Sequence, residues 1–334
     1  MAEKTPCEQL AVAIGAGDSK TIPAIFEALT DEDEARLLLA LAPPASVQEA
    51  SERTGLSPQA IEAMIDPLFR KGLLFKSRKK EEIRYYRVRN LVQFHDATLV
   101  AVDPPQEMLD LWKRFTQEEW GEFERKFEEV LPGAVVRVVP INESIEPSSQ
   151  VLAFDDLKEL VDGAQRFAVT RCSCRVADGA CGKPVEVCLQ INRAADYAIE
   201  RGTGRELGKE ETLEMLRKCG EEGLVHVADN RRSLGHVICN CCEDCCINWA
   251  SLKTGLGKFV APSRFRASVD EGECNGCELC LDRCFFGALT IDDDDGLAVI
   301  DAEKCMGCGS CQVVCPTEAI SMEVARPEDF VPAA

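Results

Sequence analysis

Apolar residues recur at helical spacing in two stretches of the chain and in short alternating runs elsewhere, so the pattern predicts a mixed architecture. Ile61, Ile65, Leu68 and Phe69 share one face of a helix. Ser57-Pro58 starts it, with Ser as N-cap and Pro at the first helical position, and Gly72 ends it. Pro67 is expected to interrupt it. Two shorter helices precede it. Thr30-Asp31-Glu32-Asp33 caps one that runs through Ala42, with acids in its first turn, and Pro43-Pro44 stops it. Ser46 to Thr54 forms the other, and Gly55 turns the chain. Leu73 to Lys76 and Ile83 to Val88 then read as two strands around a charged tip, Arg78 to Glu82. Leu109, Trp112, Phe115, Trp120, Phe123 and Phe127 make an aromatic stripe over a helical connector. Pro104-Pro105 opens that connector and Pro132-Gly133 closes it. Such a stripe marks a packing face rather than a cofactor site.

Beyond Gly133 the apolar runs shorten. Val135 to Val139 is predicted as a strand, Asp155 to Gln165 as a helix and Phe167 to Thr170 as a strand. Helices follow at about 192–201 and 209–221. Leu224 to Ala228 is a strand, and Val237-Ile238 is a second apolar stretch. Between Leu289 and Asp301 two alternating runs flank Asp295-Gly296, which reads as a hairpin. The expected fold class is α+β, in four segments. Residues 1–103 form a winged-helix-like domain, 104–132 a helical connector, 133–262 an α/β cysteine-rich domain and 263–334 a smaller domain with a doubled cysteine pattern.

Composition narrows the function classes. A length of 334 residues is enough for two or three domains with real cores. Nineteen cysteines without a basic n-region and apolar stretch after Met1 argue against a secreted disulfide scaffold. No run reaches the length of a membrane span. The expected compartment is the reducing cytoplasm, in an anaerobe or at low oxygen. The net charge of −20 disfavours nucleic acid and anionic membranes as partners of the chain as a whole. It favours a basic docking face on a protein redox partner.

Eight cysteines near the C-terminus follow one pattern written twice. The copies are Cys274-x2-Cys277-x2-Cys280-x3-Cys284 and Cys305-x2-Cys308-x2-Cys311-x3-Cys315, the second followed by Pro316. Each gives three ligands from one tight loop and one from a distance, which a zinc site built from pairs does not need. Cys274, Cys277, Cys280 and Cys315 would hold one 4Fe-4S cluster, and Cys305, Cys308, Cys311 and Cys284 the other. Residues 268–324 resemble a bacterial dicluster 4Fe-4S ferredoxin domain, including Cys-Pro-Thr-Glu-Ala-Ile at 315–320 and Cys-Phe-Phe-Gly-Ala-Leu at 284–289. The first copy departs from that family by carrying Phe285 where Pro is common, a matter of the local turn rather than of ligation. The resemblance implies electron transfer.

Nine further cysteines form two groups, each expected to begin at the end of a strand. They are Cys172, Cys174, Cys181 and Cys188, then Cys239, Cys241, Cys242, Cys245 and Cys246. So many thiols outside a disulfide framework point to metal, and the neighbouring ferredoxin run favours one or more further iron–sulfur clusters over zinc. Two ordinary cubes, or one cube and a larger cluster, both fit nine ligands. The stretch resembles an arrangement in ferredoxin-type proteins of anaerobic bacteria. Its segments here are Cys172-Ser-Cys174-Arg175, Cys181-Gly-Lys183-Pro184 with Cys188, Gly223-Leu-Val-His226 and Cys239-Asn240-Cys241-Cys242. That likeness implies additional clusters and names no substrate. His226 and His236 are read as structural imidazoles, Cys219 on a helix and Cys7 in the tail as ordinary thiols.

The order helix, helix-turn-helix, β-ribbon at 30–90 resembles winged-helix regulators of the MarR and ArsR type. Residues 53–90 carry ten basic and four acidic side chains, a local +6. The helix that would enter DNA nevertheless presents Gln59, Glu62, Ala63 and Asp66, with no Arg or Lys to read guanine. DNA is therefore not expected as a partner, and the domain is read as a protein-docking or homodimer module. Gly255-Leu-Gly257-Lys258 lacks P-loop spacing, and Gly15-Ala-Gly17 lacks a dinucleotide fingerprint. No catalytic residue is assigned. The leading expectation is an iron–sulfur electron-transfer protein, a carrier or a subunit of a larger oxidoreductase. The rivals are a redox-sensing winged-helix regulator and a small-substrate reductase with a site-differentiated middle cluster.

Overall fold

Capping residues set most helix starts in the N-terminal region. The structure, a computed structural model, describes residues 4–78, 82–145, 148, 150–249, 252 and 257–333. They divide into two units. The first comprises Met1–Glu124 with Ser173–Gly179 and Arg201–Thr203. Its helices include Pro6–Ala13, Ile22–Leu29, Glu32–Ala40, Val47–Thr54 and Pro58–Arg70. Asp31 and Ser46 head reciprocal capping boxes with Glu34 and Glu49, and Ser57 caps the fifth helix. The expected helix over 32–42 stops at Ala40. Cys7 lies buried on the first helix rather than in a tail, its sulfur 3.8 Å from the Thr30 hydroxyl.

Pro67 does not interrupt its helix, which runs on to Arg70. Proline removes one N–H and crowds the carbonyl four residues back, here that of Ala63. Ala63 and Pro67 are both exposed, so that carbonyl can tilt toward water at a helix end. Strands β1 (Leu74–Ser77) and β2 (Arg84–Arg87) pair antiparallel, Leu74 opposite Arg87. Ala45 forms an isolated bridge to Tyr85. Of the charged tip, Lys79, Lys80 and Glu81 lie outside the described residues. The helices Leu91–Leu99 and Gln106–Glu118 follow. Phe26 stacks on Phe94 at 4.1 Å, and Trp112 donates to the Thr98 hydroxyl at 3.0 Å.

The connector is two helices, not one. Gln106–Glu118 and Trp120–Val130 meet at Glu119, whose carboxylate accepts from the Thr21 hydroxyl and, at 3.2 Å, from the Lys20 N–H. The aromatic stripe divides accordingly. Trp112 and Phe115 are buried in the first unit's core, whereas Phe127 packs on Phe259 within the second unit.

The second unit comprises Arg125–Cys172, Ala180–Glu200 and Gly204–Ala334. It holds β3 (Val136–Val139), β4 (Phe167–Arg171), β5 (Glu186–Ile191), β6 (Gly204–Leu207), β7 (Val225–Asp229), β8 (Val237–Cys241) and β9 (Val260–Ala261). These form one sheet in the order β6-β4-β5-β8-β7-β3-β9. Its pairs are antiparallel except β3 with β9. One face buries Val139, Val169, Leu189, Ile191 and Ile238 against the helices Leu157–Asp162 and Lys209–Glu221. Each such side chain contributes about 1.5–3 kcal/mol of transfer free energy. The helix expected over 155–165 is shorter because the Asp156 carboxylate caps Lys158 and Glu159 and Gly163 follows its last turn.

Candidate metal centres

The C-terminal repeat builds two mirrored thiol sets. Strand β10 (Phe265–Val269) pairs antiparallel with β13 (Ile320–Val324), Phe265 opposite Val324. Between them lies the expected hairpin, β11 (Leu289–Ile291) with β12 (Ala298–Ile300), and the exposed acids Asp293, Asp294 and Asp295 sit at its tip. Each cysteine run follows a strand and ends just before the next. One cavity is lined by Cys284, Cys305, Cys308 and Cys311. A second is lined by Cys274, Cys277, Cys280 and Cys315. Each therefore takes three thiols from one repeat and the fourth from the other. Four convergent soft donors, three from one loop and one from a distance, are the ligand set of a 4Fe-4S cube.

Burial in these cavities disfavours bare thiolates. Burial pushes the Cys308 thiol up to about 11 and raises Cys311 and Cys280, with neighbouring thiols adding to each. Cys315 moves down. Burial raises it, but the N–H groups of Ile320, Thr317 and Ala319 and the Thr317 hydroxyl outweigh that by hydrogen bonding to sulfur. Thiolates so enclosed need a metal to offset their charge, and they lose protons when one binds. Gly307 and Gly309 shape the loop on either side of Cys308. Both have positive φ, +67° and +82°. A Cβ at Gly307 would lie 2.2 Å from the Phe265 carbonyl oxygen, and one at Gly309 2.0 Å from the Ser144 hydroxyl.

In the middle region the cysteines sit differently from expectation. Cys172 does follow β4, but Cys188 lies inside β5 and Cys239 and Cys241 inside β8. Strand alternation puts Cys239 and Cys241 on one face, opposite Val227 and Val225. Cys188 shares that face by the β5–β8 register. The other face carries the apolar core. Cys241 hydrogen-bonds with Cys239 and Cys246 and faces Cys172. The sulfurs of Cys181, Cys242 and Cys245 lie within 4.8 Å of one another. Cys174, on the helix Ser173–Asp178, belongs to the first unit.

His226 is buried, with Nδ1 2.6 Å from Asn240 Oδ1, and burial pushes its pKa down to about 4. It is a neutral structural imidazole on the core face. His236 is exposed. Cys219 is buried in the helix Lys209–Glu221. Sequence reasoning did not single out the donors aimed at sulfur. Gln190 Nε2 donates to Cys188 Sγ at 3.2 Å and Asn248 Nδ2 to Cys241 Sγ at 3.9 Å. Thr317 lies 3.7 Å from Cys315 Sγ. The available signal was a polar residue two positions after a cysteine, as in Cys188-Leu-Gln190 and Cys315-Pro-Thr317.

Apart from Cys174, both sets of cysteines lie in the second unit, where their segments are joined directly. The Ile141 N–H donates to the Cys308 carbonyl at 3.0 Å, and the Ser263 hydroxyl donates to that of Gly307 at 2.6 Å. Arg264 forms a buried ion pair with Asp155. Trp249, three residues after Cys246, packs its ring 5.7 Å from Phe285 and 5.3 Å from Phe286, which follow Cys284. Phe285 thus has a packing role at the position where Pro is common.

A family model of the 4Fe-4S dicluster domain matches residues 260–322. An uncharacterized ferredoxin of Methanocaldococcus jannaschii is 39% identical over 62 residues, 18% of this chain and 80% of that protein. Archaeal-type glutamate synthase (NADPH) of Thermotoga maritima is 33% identical over 75 residues, 22% of this chain and 14% of the synthase. One component of the ion-translocating oxidoreductase complex of Methanosarcina acetivorans is 42% identical over 55 residues, 16% of this chain and 20% of that component. The chain thus spans about a seventh of the length of the glutamate synthases it matches.

Proposed function

We propose, from the premise that the chain belongs through residues 260–322 to the 4Fe-4S dicluster domain family, that it passes single electrons between protein partners as a carrier or as a subunit of a larger oxidoreductase. The observation that carries this reading is the pair of cavities, each lined by three cysteines of one repeat and the last cysteine of the other. Cys274, Cys277, Cys280 and Cys315 hold one 4Fe-4S cluster, and Cys305, Cys308, Cys311 and Cys284 the second. Such clusters supply one-electron redox chemistry when bound. The protein's part is to hold them near one another and to tune them through burial and N–H donors to sulfur. The middle cysteines hold a further centre, and the contact of Trp249 with Phe285 and Phe286 sets it beside the Cys284 end of the dicluster domain.

The net charge of −20 supports docking to a basic face of a redox partner. The relative from an oxidoreductase complex fits that role by analogy. No helix among the described residues is long and apolar enough to cross a membrane. We assign the protein to the cytoplasm on the ground of its many free thiols.

Residues 1–103 act as a winged-helix module for protein docking or homodimerisation. The helix order and the Ala45–Tyr85 bridge beside β1 and β2 support that reading. DNA is disfavoured because Glu62 and Asp66 are exposed on the helix that would read it. Much of the local positive charge is also engaged. Arg53 donates to the Ala40 and Pro43 carbonyls, Arg70 pairs with Asp66, Lys71 with Glu34 and Arg84 with Glu49. The test is a reductive titration of the anaerobically purified chain, followed by its visible absorption. Uptake of at least two electrons per chain, one for each dicluster site, is expected. A chain with no reducible chromophore would end the proposal.

A further inference from the structure

The middle-region thiols do not share the geometry of the C-terminal ones. Cys181, Cys242 and Cys245 hold their sulfurs within 4.8 Å of one another. Among the described residues neither C-terminal quartet draws three sulfurs that close, although each quartet lines one cavity. The difference has a chemical meaning. Thiolates on a cube bind four separate irons, so their sulfurs stand outside the cube's corners and far apart. Thiolates on one tetrahedral ion share a centre, and metal–sulfur bonds of about 2.3 Å put their sulfurs roughly 3.8 Å apart. The triad fits the second case.

Local sequence agrees. Cys242-x2-Cys245 is a short pair in a turn directly after β8, the spacing that single-ion sites use, and Cys181 reaches it from the loop before β5. Cys242 and Cys245 are buried, and Cys181 hydrogen-bonds with Cys245. Cys241 interacts with Cys239, Cys246 and Cys172, none of which belongs to the triad, and these four remain available to a cluster. Cys242 and Cys245 are buried and Cys181 is half-buried, so bare thiolates are disfavoured there unless a cation replaces their protons, and at equal geometry Zn²⁺ outcompetes Fe²⁺ for such ligands.

We infer that Cys181, Cys242 and Cys245 bind one soft divalent cation, Zn²⁺, as a single-ion site distinct from the clusters, with its fourth position left to an exogenous ligand. Among the described residues no fourth His, Cys, Asp or Glu donor joins the triad at that range. Three protein ligands with an open fourth position are the arrangement of zinc sites that act on a bound water or substrate. The contrast with the quartets rests on the cluster reading above, whereas the triad's own spacing does not.

The experiment is metal analysis of the anaerobically purified full chain, of Cys242→Ser and of Cys181→Ser. Electron paramagnetic resonance of the reduced ferredoxin clusters reports folding in each. One zinc per chain is expected, lost from both variants while the cluster signals persist. Cobalt in place of zinc should show thiolate-to-metal charge-transfer bands that shift when an added thiol takes the fourth position. Zinc at trace level, with Cys242→Ser losing about four irons instead, would assign the triad to a further cube and overturn the inference. Cobalt bands indifferent to added thiol would overturn the open position. If the wild type lacked reducible iron, the electron-transfer reading would fall, and the zinc count would still decide this site.

Discussion

Replacing Arg264 by Met should loosen the dicluster segment from the sheet that carries the other cysteines. Arg264 is 5% exposed and Asp155 1% exposed, so their ion pair lies out of water. Arg264 also donates to the carbonyls of Arg326 and Pro327, at 3.3 and 3.2 Å. Methionine fills most of the volume but leaves the Asp155 carboxylate without its main counter-charge. Burial already pushes that carboxyl up, and Arg264 and Arg137 pull it back down. Breaking a buried pair from one side costs about 3–5 kcal/mol. If the loss falls on the unfolding step, clusters should be released about a hundredfold faster or more. The assay is bleaching of the cluster absorption in anaerobic guanidinium. Lys304→Met is the control, because the Lys304–Asp301 pair is exposed and such pairs contribute little to stability. Adding Asp155→Leu to Arg264→Met should recover part of the loss and not all, since buried Arg137 then keeps only Asp229 as a counter-charge. Release within about threefold of wild type for Arg264→Met would refute the reasoning.

Cys315→Ser should disturb the same cluster signal as Cys280→Ser, and Cys284→Ser the same signal as Cys308→Ser. Spectra in which Cys315→Ser groups with Cys308→Ser would show that the ligands are not crossed. His226 has its pKa depressed from 6.5 to about 4, so its contribution is present above 6.5 and is lost as pH falls toward 4. Between pH 7 and 5 this should remove about 2 kcal/mol of stability, and His226→Phe should flatten the thermal midpoint over that window. A variant with the wild-type slope would place the pH response elsewhere. Association with a redox partner should weaken as salt rises, because exposed charges are screened beyond about 8–10 Å at physiological ionic strength. Capture that is insensitive to salt would contradict acidic docking.

The most legible features were those encoded locally. Ser46, Ser57 and Asp31 cap helices because a short oxygen-bearing side chain meets free N–H groups, and that needs no tertiary context. The Asp-Gly hairpin and the doubled cysteine run were legible for the same reason. What was lost depended on distant partners. β5 reads Glu-Val-Cys-Leu-Gln-Ile, a proper alternation, but it is short and lies among cysteines, and no element was assigned there. β6 is a mostly polar strand at the sheet's edge with only Leu207 buried, so it carries little hydrophobic signal. The break at Glu119 depends on Lys20 and Thr21, about a hundred residues away in the chain. The middle cysteines were read as metal ligands from their number, their expected places at strand ends, the neighbouring ferredoxin run and a resemblance. The close approach of Cys181 to Cys242 and Cys245 was not legible, because it brings a loop before β5 against a turn after β8.

Whether the chain is a multi-cluster electron carrier is decided by counting iron and acid-labile sulfide in the anaerobically purified full chain, with electron paramagnetic resonance of the reduced protein. About eight irons are expected for the two dicluster sites, with further iron for the middle centre and signals from more than one 4Fe-4S cluster. A chain that binds zinc alone, or that carries iron without sulfide and gives no cluster signal on reduction, would contradict that reading.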